Sequence, residues 1–434
     1  MDKLKLEEAL VSWNPWWKGK KDETFFRTAY VNKIISWLGK GKAISIYGIR
    51  KCGKTTIAKQ VLYSLISNGK KADECCYINF EDERFYGELS SPELIDEAYQ
   101  TFLALKNPAG KVLFILDEIQ NVSAWEKWVR RIIEQTENID LIITGSSAAL
   151  LSSDLATILT GRAIPIEIRP LNFKEFLNFK GTEVPKVTNL KDAYLNLKKH
   201  VFQNYLRQYI ETGGLPEIVL EESNEKRKEL ARVYFSDILF RDIVKRYGIK
   251  ESKLLEEIAL YCLANSSGYI SFNKLANSLK ASINTVKQYV DYLEKAFLIK
   301  VVPQFSYSVK SQQHADRIKK VYSIDNGLRN LVSFKFSQDL GKMSENTAFA
   351  NISSGESKLF TWKEVKEVDL IKYVGKNLEA INVCFGEIKE REYVGLSEFK
   401  KKHPKAKLIM LTLDKFGEKE DIQLIPLWLY LLNI

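Results

Sequence analysis

An α/β fold on a parallel sheet is what this sequence predicts, and three observations carry the prediction. Five short apolar runs, near residues 43–47, 76–80, 112–116, 140–144 and 164–168, alternate with segments whose apolar residues recur at helical spacing. Such alternation puts crossover helices between parallel strands. The first run leads into Gly48-Ile-Arg-Lys-Cys-Gly53-Lys54-Thr55, which fits the pattern G-x-x-x-x-G-K-[ST] without a mismatch. The third run, Lys111-Val-Leu-Phe-Ile-Leu116, is too short for a helix and ends in the acid pair Asp117-Glu118.

Taken in order, Ala43–Tyr47 reads as a buried strand and Thr56–Ile66 as a helix, the strand, loop, helix context the glycine pattern requires. Glycines let backbone N–H groups close in on phosphates at a helix N-terminus, where the helix dipole favours negative charge. Lys54 is expected to reach the β and γ phosphates, and Thr55 to give its hydroxyl to Mg²⁺. Gly48, Arg50, Gly53 and Thr56 complete the expected nucleotide contacts, so ATP and Mg²⁺ are the predicted cofactors. At the end of the third strand, Asp117 is expected to hold Mg²⁺, directly or through water, and Glu118 to orient and activate an attacking water. The fourth run ends in Thr144-Gly-Ser-Ser147 at the sheet edge where ligands of open α/β sheets bind. Thr144 or Ser146 is therefore a candidate γ-phosphate sensor, against the alternative of a polar turn that caps the next helix.

Composition bounds the rest. At 434 residues the chain is long enough for about three domains, with 45% hydrophobic and 28% charged residues. It has no apolar stretch of membrane-spanning length, and its start is mixed and polar, so a cytoplasmic protein with no membrane partner is expected. Five cysteines and three histidines suit reduced thiols and argue against a disulfide framework or a zinc site. The net charge of +10 favours an acidic partner such as nucleic acid, although lysine mixed with glutamate is equally a heat-adaptation pattern.

Outside the sheet, residues 1–40 form an aromatic arm in which Trp13, Trp16 and Trp17 sit beside Lys18, Lys20 and Lys21. Packing onto the adjoining domain is the preferred reading, with base stacking as the alternative. Residues 251–335 hold a helix, tight turn, helix layout, an alternating strand near 297–302 and a polar stretch from Ser306 to Lys320; this resembles a winged helix-turn-helix. If it reads DNA, Ser282, Asn284, Thr285, Lys287 and Gln288 face the major groove, and Lys310, Arg317, Lys319 and Lys320 contact phosphates. A protein-interaction role is the alternative.

The order of motifs resembles the archaeal and bacterial AAA-type P-loop ATPases that carry a C-terminal domain of unknown function. The matching stretches include Asn14-Pro-Trp-Trp17, the glycine loop, Leu116-Asp-Glu-Ile-Gln120, Thr144-Gly-Ser-Ser147, Gly161-Arg162, Gly213-Gly-Leu-Pro-Glu217, Arg241-Asp-Ile243 and Val321-Tyr-Ser-Ile-Asp-Asn-Gly327. The resemblance implies a P-loop ATPase core over 41–190, a helical lid over 191–250 with a break at Gly213–Pro216, the winged helix, and a restriction-endonuclease-like α/β domain over 336–434. It also implies a nucleotide-dependent homo-oligomer in which an arginine from a neighbouring subunit neutralises the γ phosphate. Arg162 is the candidate, with Arg50 and Arg241 as rivals. In the nuclease-like domain the Glu-x-Lys triplet expected beside Asp369 falls on Asn382-Val383-Cys384, where an amide and a thiol replace carboxylate and ammonium, so that domain reads as catalytically dead; a shifted triplet, Glu387-Ile-Lys389, keeps a nuclease as an alternative. The expected function is ATP hydrolysis coupled to engagement of DNA or a nucleoprotein, with a nucleotide-gated regulatory or stress-response switch as the other alternative.

Overall fold

The computed structural model describes residues 3–20, 24–145, 161–306, 319–332, 340–353, 357–375 and 377–433. The chain folds as two compact units, residues 1–169 and 170–434. Among the described residues no helix is long and apolar enough to cross a membrane.

The first unit is built on five parallel strands, β1 (Ala43–Tyr47), β2 (Cys75–Asn79), β3 (Val112–Asp117), β4 (Ile139–Thr144) and β5 (Ala163–Glu167). Their order in the sheet is β2-β3-β4-β1-β5. Because β4 inserts between β3 and β1, the chains leaving β1 and β3 turn apart and open a crevice at the C-terminal edge, where α/β sheets bind ligands. β3 is buried along its whole length, which is why it reads as an unbroken apolar run. The helices Lys54–Ser67, Glu93–Lys106 and Trp125–Gln135 supply the crossovers.

The aromatic arm covers β2, an edge strand whose free backbone groups would otherwise invite pairing. Asn14 brackets Tyr77, accepting from its N–H (2.7 Å) and donating to its carbonyl (2.8 Å), as a neighbouring strand would. Trp16 and Trp17 both donate Nε1–H to the Cys75 carbonyl, and Trp17 stacks on Phe102. The tryptophans are thus packing residues, and the base-stacking alternative lapses.

The second unit opens with helices, of which Lys199–Thr212 and Asn224–Asp237 are the longest before residue 250. A π-helical turn, Ile238–Val244, continues the latter and carries Arg241. The Gly213-Gly214 break has a packing cause. A Cβ at Gly213 would meet Asp325 Oδ1 at 2.3 Å, and one at Gly214 would meet the Leu171 carbonyl at 2.3 Å. The buried Asp325 accepts from Gly214 N–H (2.6 Å) and Leu328 N–H (3.1 Å), and burial pushes its carboxyl up to about 6. Two of the motif stretches quoted above therefore meet at one backbone contact.

Helices Phe272–Ser278 and Ile283–Lys295 make the expected helix, turn, helix, flanked by a three-stranded sheet of β6 (Gly268–Ile270), β7 (Ile299–Val302) and β8 (Lys319–Ser323), ordered β6-β8-β7. The stretch 307–318, with Lys310 and Arg317, lies outside the described residues.

A mixed six-stranded sheet follows: β9 (Lys358–Lys363), β10 (Glu367–Val374), β11 (Asn377–Cys384), β12 (Lys407–Thr412), β13 (Gly417–Lys419) and β14 (Ile422–Pro426), ordered β13-β14-β12-β11-β10-β9. The helix Leu340–Ile352 lies beside it and buries a polar run that includes Glu345, Asn346, Thr347 and Asn351.

Candidate nucleotide and magnesium site

The loop after β1 needs its glycines. Gly48 sits at φ +149°, and a Cβ there would lie 1.9 Å from the Ile168 carbonyl; Gly53, at φ +99°, turns the chain into the helix that begins at Lys54. Lys54 is 7% exposed, and its ammonium donates to the loop carbonyls of Gly48 (3.0 Å) and Ile49 (3.3 Å). These are neutral acceptors, which a phosphate oxygen outcompetes. Arg50 faces Glu81 at 3.7 Å, and Thr56 is exposed on the first helical turn.

Asp117 is the centre of the site. Its Oδ2 accepts from Thr55 Oγ1–H (2.8 Å) and Tyr77 Oη–H (2.6 Å), and its Oδ1 accepts from Thr144 Oγ1–H. Burial pushes the Asp117 carboxyl up, the charge of Glu118 adds to that, and the hydroxyl donors from Thr144, Tyr77 and Thr55 oppose it. A carboxylate offers about four acceptor positions, and three are filled by neutral hydroxyls. Neutral donors do not cancel the charge of the carboxylate, and one lone pair of Oδ1 is left unfilled by them. With the hydroxyl of Thr55 alongside, this donor set of hard oxygens fits Mg²⁺.

Glu118 adopts a left-handed backbone (φ +52°), uncommon for a residue with a side chain. Its N–H donates to Thr144 Oγ1 (3.3 Å), and its carboxylate accepts from Gln120 Nε2–H. Thr144 thus bridges the two acids and is fully buried. Ser146 lies outside the described residues. Lys54, Thr55, Asp117, Glu118 and Thr144 converge on the same sheet edge.

Arg162 does not join them. It precedes β5, its carbonyl accepts from Ala43 N–H (2.9 Å), and its guanidinium pairs with Glu134 (2.7 Å). That is the N-terminal edge of the sheet, roughly 16 Å from the loop at about 3.3 Å per strand residue. This placement keeps Arg162 away from the site of its own chain.

Two residues that the motifs did not single out belong to the site. Tyr77, in the apolar run of β2, reaches Asp117, and Gln120, at the end of the stretch Leu116–Gln120, holds Glu118. Only the polar tips on otherwise core-like positions hint at them in the sequence.

On the helix Ile283–Lys295, Ser282 is the N-cap: its Oγ accepts from Thr285 N–H (3.0 Å) and bonds the Thr285 hydroxyl (2.8 Å). Asn284 is exposed, Lys287 half-buried, and Gln288 donates to Tyr292 Oη (2.7 Å). Lys320 corrects an expectation. It is 2% exposed and cannot meet a phosphate, because its ammonium is held by Glu345 (2.9 Å), Asp369 (3.3 Å) and Glu367. Asp369 Oδ2 also accepts from Val383 N–H (2.9 Å), while Asn382 is buried and Glu387 and Lys389 lie exposed beyond β11.

A glycine loop between a strand and a helix, joined through Thr55 to an acid at the end of a parallel strand one removed in the sheet, defines a P-loop nucleotide-binding protein. Residues 40–177 match the AAA domain family, and residues 203–339 match a domain of unknown function. The uncharacterized protein MJ1544 of Methanocaldococcus jannaschii is 36% identical over 410 residues, spanning 88% of this chain and 86% of that protein. An uncharacterized protein of Haemophilus influenzae is 28% identical over 375 residues, 85% of this chain and 88% of that one. A solved structure of the Aeropyrum pernix ORC1 protein in complex with DNA aligns at TM-score 0.31 and 14% identity, over 72% of this chain and 93% of that chain, a likeness too loose to argue from. This chain belongs to the family of AAA-type P-loop ATPases that carry a C-terminal domain of unknown function.

Proposed function

We propose that the protein is a Mg²⁺-dependent ATP hydrolase whose nucleotide state governs how its second unit engages DNA or a nucleoprotein. The observation that carries the reading is the Thr55–Asp117 hydrogen bond, which ties the phosphate loop to the metal-binding strand. Thr55 and Asp117 would hold Mg²⁺, which when bound neutralises phosphate charge. Lys54 leaves the loop carbonyls for the β and γ phosphates, with Gly48, Gly53 and Thr56 lining the cradle and Arg50 beside it. Glu118 takes the proton of the attacking water, and Thr144 keeps the two acids in register. Residues 191–250 are assigned as a lid, and Arg162 as the arginine supplied to a neighbouring copy.

The winged-helix assignment for 251–335 and its DNA contacts rest on the helix, turn, helix layout, the exposed Asn284 and Gln288 and the half-buried Lys287, with Ser282 and Thr285 bonded to each other at the cap. The C-terminal sheet is read as a docking platform that does not cut DNA, because Asp369 is already held by Lys320 and Val383.

The deciding experiment pairs two variants. Lys54→Ala loses ATP affinity, because Lys54 binds ground-state phosphate, whereas Glu118→Gln keeps affinity and loses turnover, because Glu118 acts only during hydrolysis. Equal loss of binding in both would overturn the assignment. DNA engagement is tested by anisotropy against salt with and without nucleotide.

A further inference from the structure

Tyr77 is fully buried on β2, and nothing in the phosphate-loop chemistry requires it. Its phenol donates to the same Asp117 oxygen that Thr55 uses, at 2.6 Å. Two donors on Oδ2 fix the rotation of the carboxylate plane, and with it the direction of the free lone pair on Oδ1. Thr144 already donates to Oδ1, so Tyr77 is the third donor on this carboxylate, and its phenol oxygen, fixed on the axis of a buried ring, sets the direction of Oδ2 more firmly than the rotatable hydroxyls of Thr55 and Thr144 do. Tyr77 is in turn held from the far side by the arm. Asn14 brackets its backbone from both N–H and carbonyl, Trp13 packs on its ring with centroids 5.8 Å apart, and Lys59 lies 4.4 Å over it. Trp13 is itself pinned by its Nε1–H to Asp82 Oδ2 (2.7 Å), and Asn14 by its amide to the Leu10 carbonyl (2.6 Å). A chain of direct contacts therefore runs from the first helix through Trp13 and Asn14 to Tyr77 and on to Asp117.

The geometry points to Tyr77 as a positioning residue for the magnesium-holding carboxylate, fixed by the N-terminal arm, so that the seating of the arm sets the affinity of the site for Mg²⁺. This rests on the reading of the site as an ATP and Mg²⁺ site.

The test is calorimetric titration of the full chain with a non-hydrolysable ATP analogue across a magnesium series, with EDTA as the metal-free point. In the wild type, Mg²⁺ tightens nucleotide binding. Tyr77→Phe removes one oxygen; metal-free affinity stays as in the wild type and the magnesium midpoint rises about tenfold, the range for a hydrogen bond to a charged group. Asn14→Ala, which leaves the phenol in place, moves the midpoint in the same direction by a smaller factor. A Tyr77→Phe midpoint equal to the wild type overturns the proposal. If Tyr77→Phe also loses metal-free binding, Asn14→Ala decides: a shifted midpoint supports the coupling and an unshifted one overturns it. A wild type that binds no nucleotide, or binds it without regard to Mg²⁺, fails the underlying reading instead.

Discussion

Asp117 in the first unit and Asp369 in the second are both strand carboxylates with hydrogen bonds on both oxygens, but the bonds are of opposite kinds. Asp117 is held by three neutral hydroxyls, from Thr55, Tyr77 and Thr144. Asp369 is held by a backbone N–H and by the ammonium of Lys320, which also gathers Glu345 and Glu367. Neutral donors orient a carboxylate and leave its charge uncancelled, so a cation is still wanted. A buried ammonium cancels the charge from within and fills the space a metal would take. The identity of the neighbours, rather than the acids, decides which cluster is a metal site.

The largest expected effect comes from removing the internal cation. Lys320→Met leaves Glu345, Glu367 and Asp369 without their shared cation in the second unit and costs about 3–5 kcal/mol of its stability at neutral pH, read from urea denaturation. A cost near zero would mean the cluster is not held by charge. Next comes Thr144→Val, which takes a donor from Asp117 and the acceptor from Glu118 N–H; turnover at saturating nucleotide and Mg²⁺ falls by about ten- to a hundredfold with metal-free nucleotide affinity kept.

A smaller, pH-dependent effect belongs to Glu345. The groups facing it and its partners are Lys320, Tyr322, Asp369, Glu367 and Tyr269. Burial and the charge of Asp369 push its carboxyl up to about 8. A folded-state value above the unfolded one means the native state holds the proton more tightly, so stability is full below about 4.5 and declines as pH rises toward 8. Glu345→Gln flattens that decline in a series of melts, and an unchanged slope would contradict the assignment. The smallest effect is that of Arg162→Ala, whose exposed pair with Glu134 contributes little to folding. Its melt is unchanged, while turnover drops only at protein concentrations where copies associate.

Much of this was legible in the sequence. Each of the five strands of the first sheet falls within one residue of its apolar run; the buried strands β1 to β4 are written as largely hydrophobic stretches, while β5, at the sheet edge, is mostly half-buried. The phosphate loop and the acid pair were equally plain, since their chemistry is local. Tyr77 was not, because its bond to Asp117 spans 40 positions and a tyrosine in a buried strand reads as core. Lys320 was misread for the converse reason: a lysine after a polar stretch reads as solvated, and only the fold brings Glu345, Glu367 and Asp369 around it. Ser282 caps its helix, as Ser at the start of an amphipathic helix commonly does, a role that the conditional set of base contacts passes over.

The contrast between the two clusters is tested most directly by counting bound Mn²⁺ per chain with electron paramagnetic resonance, in the presence of a non-hydrolysable ATP analogue. The expected result is one Mn²⁺ that is lost in Asp117→Asn and retained in Asp369→Asn. A second Mn²⁺ that disappears with Asp369→Asn, or a single one that survives Asp117→Asn, would contradict the account.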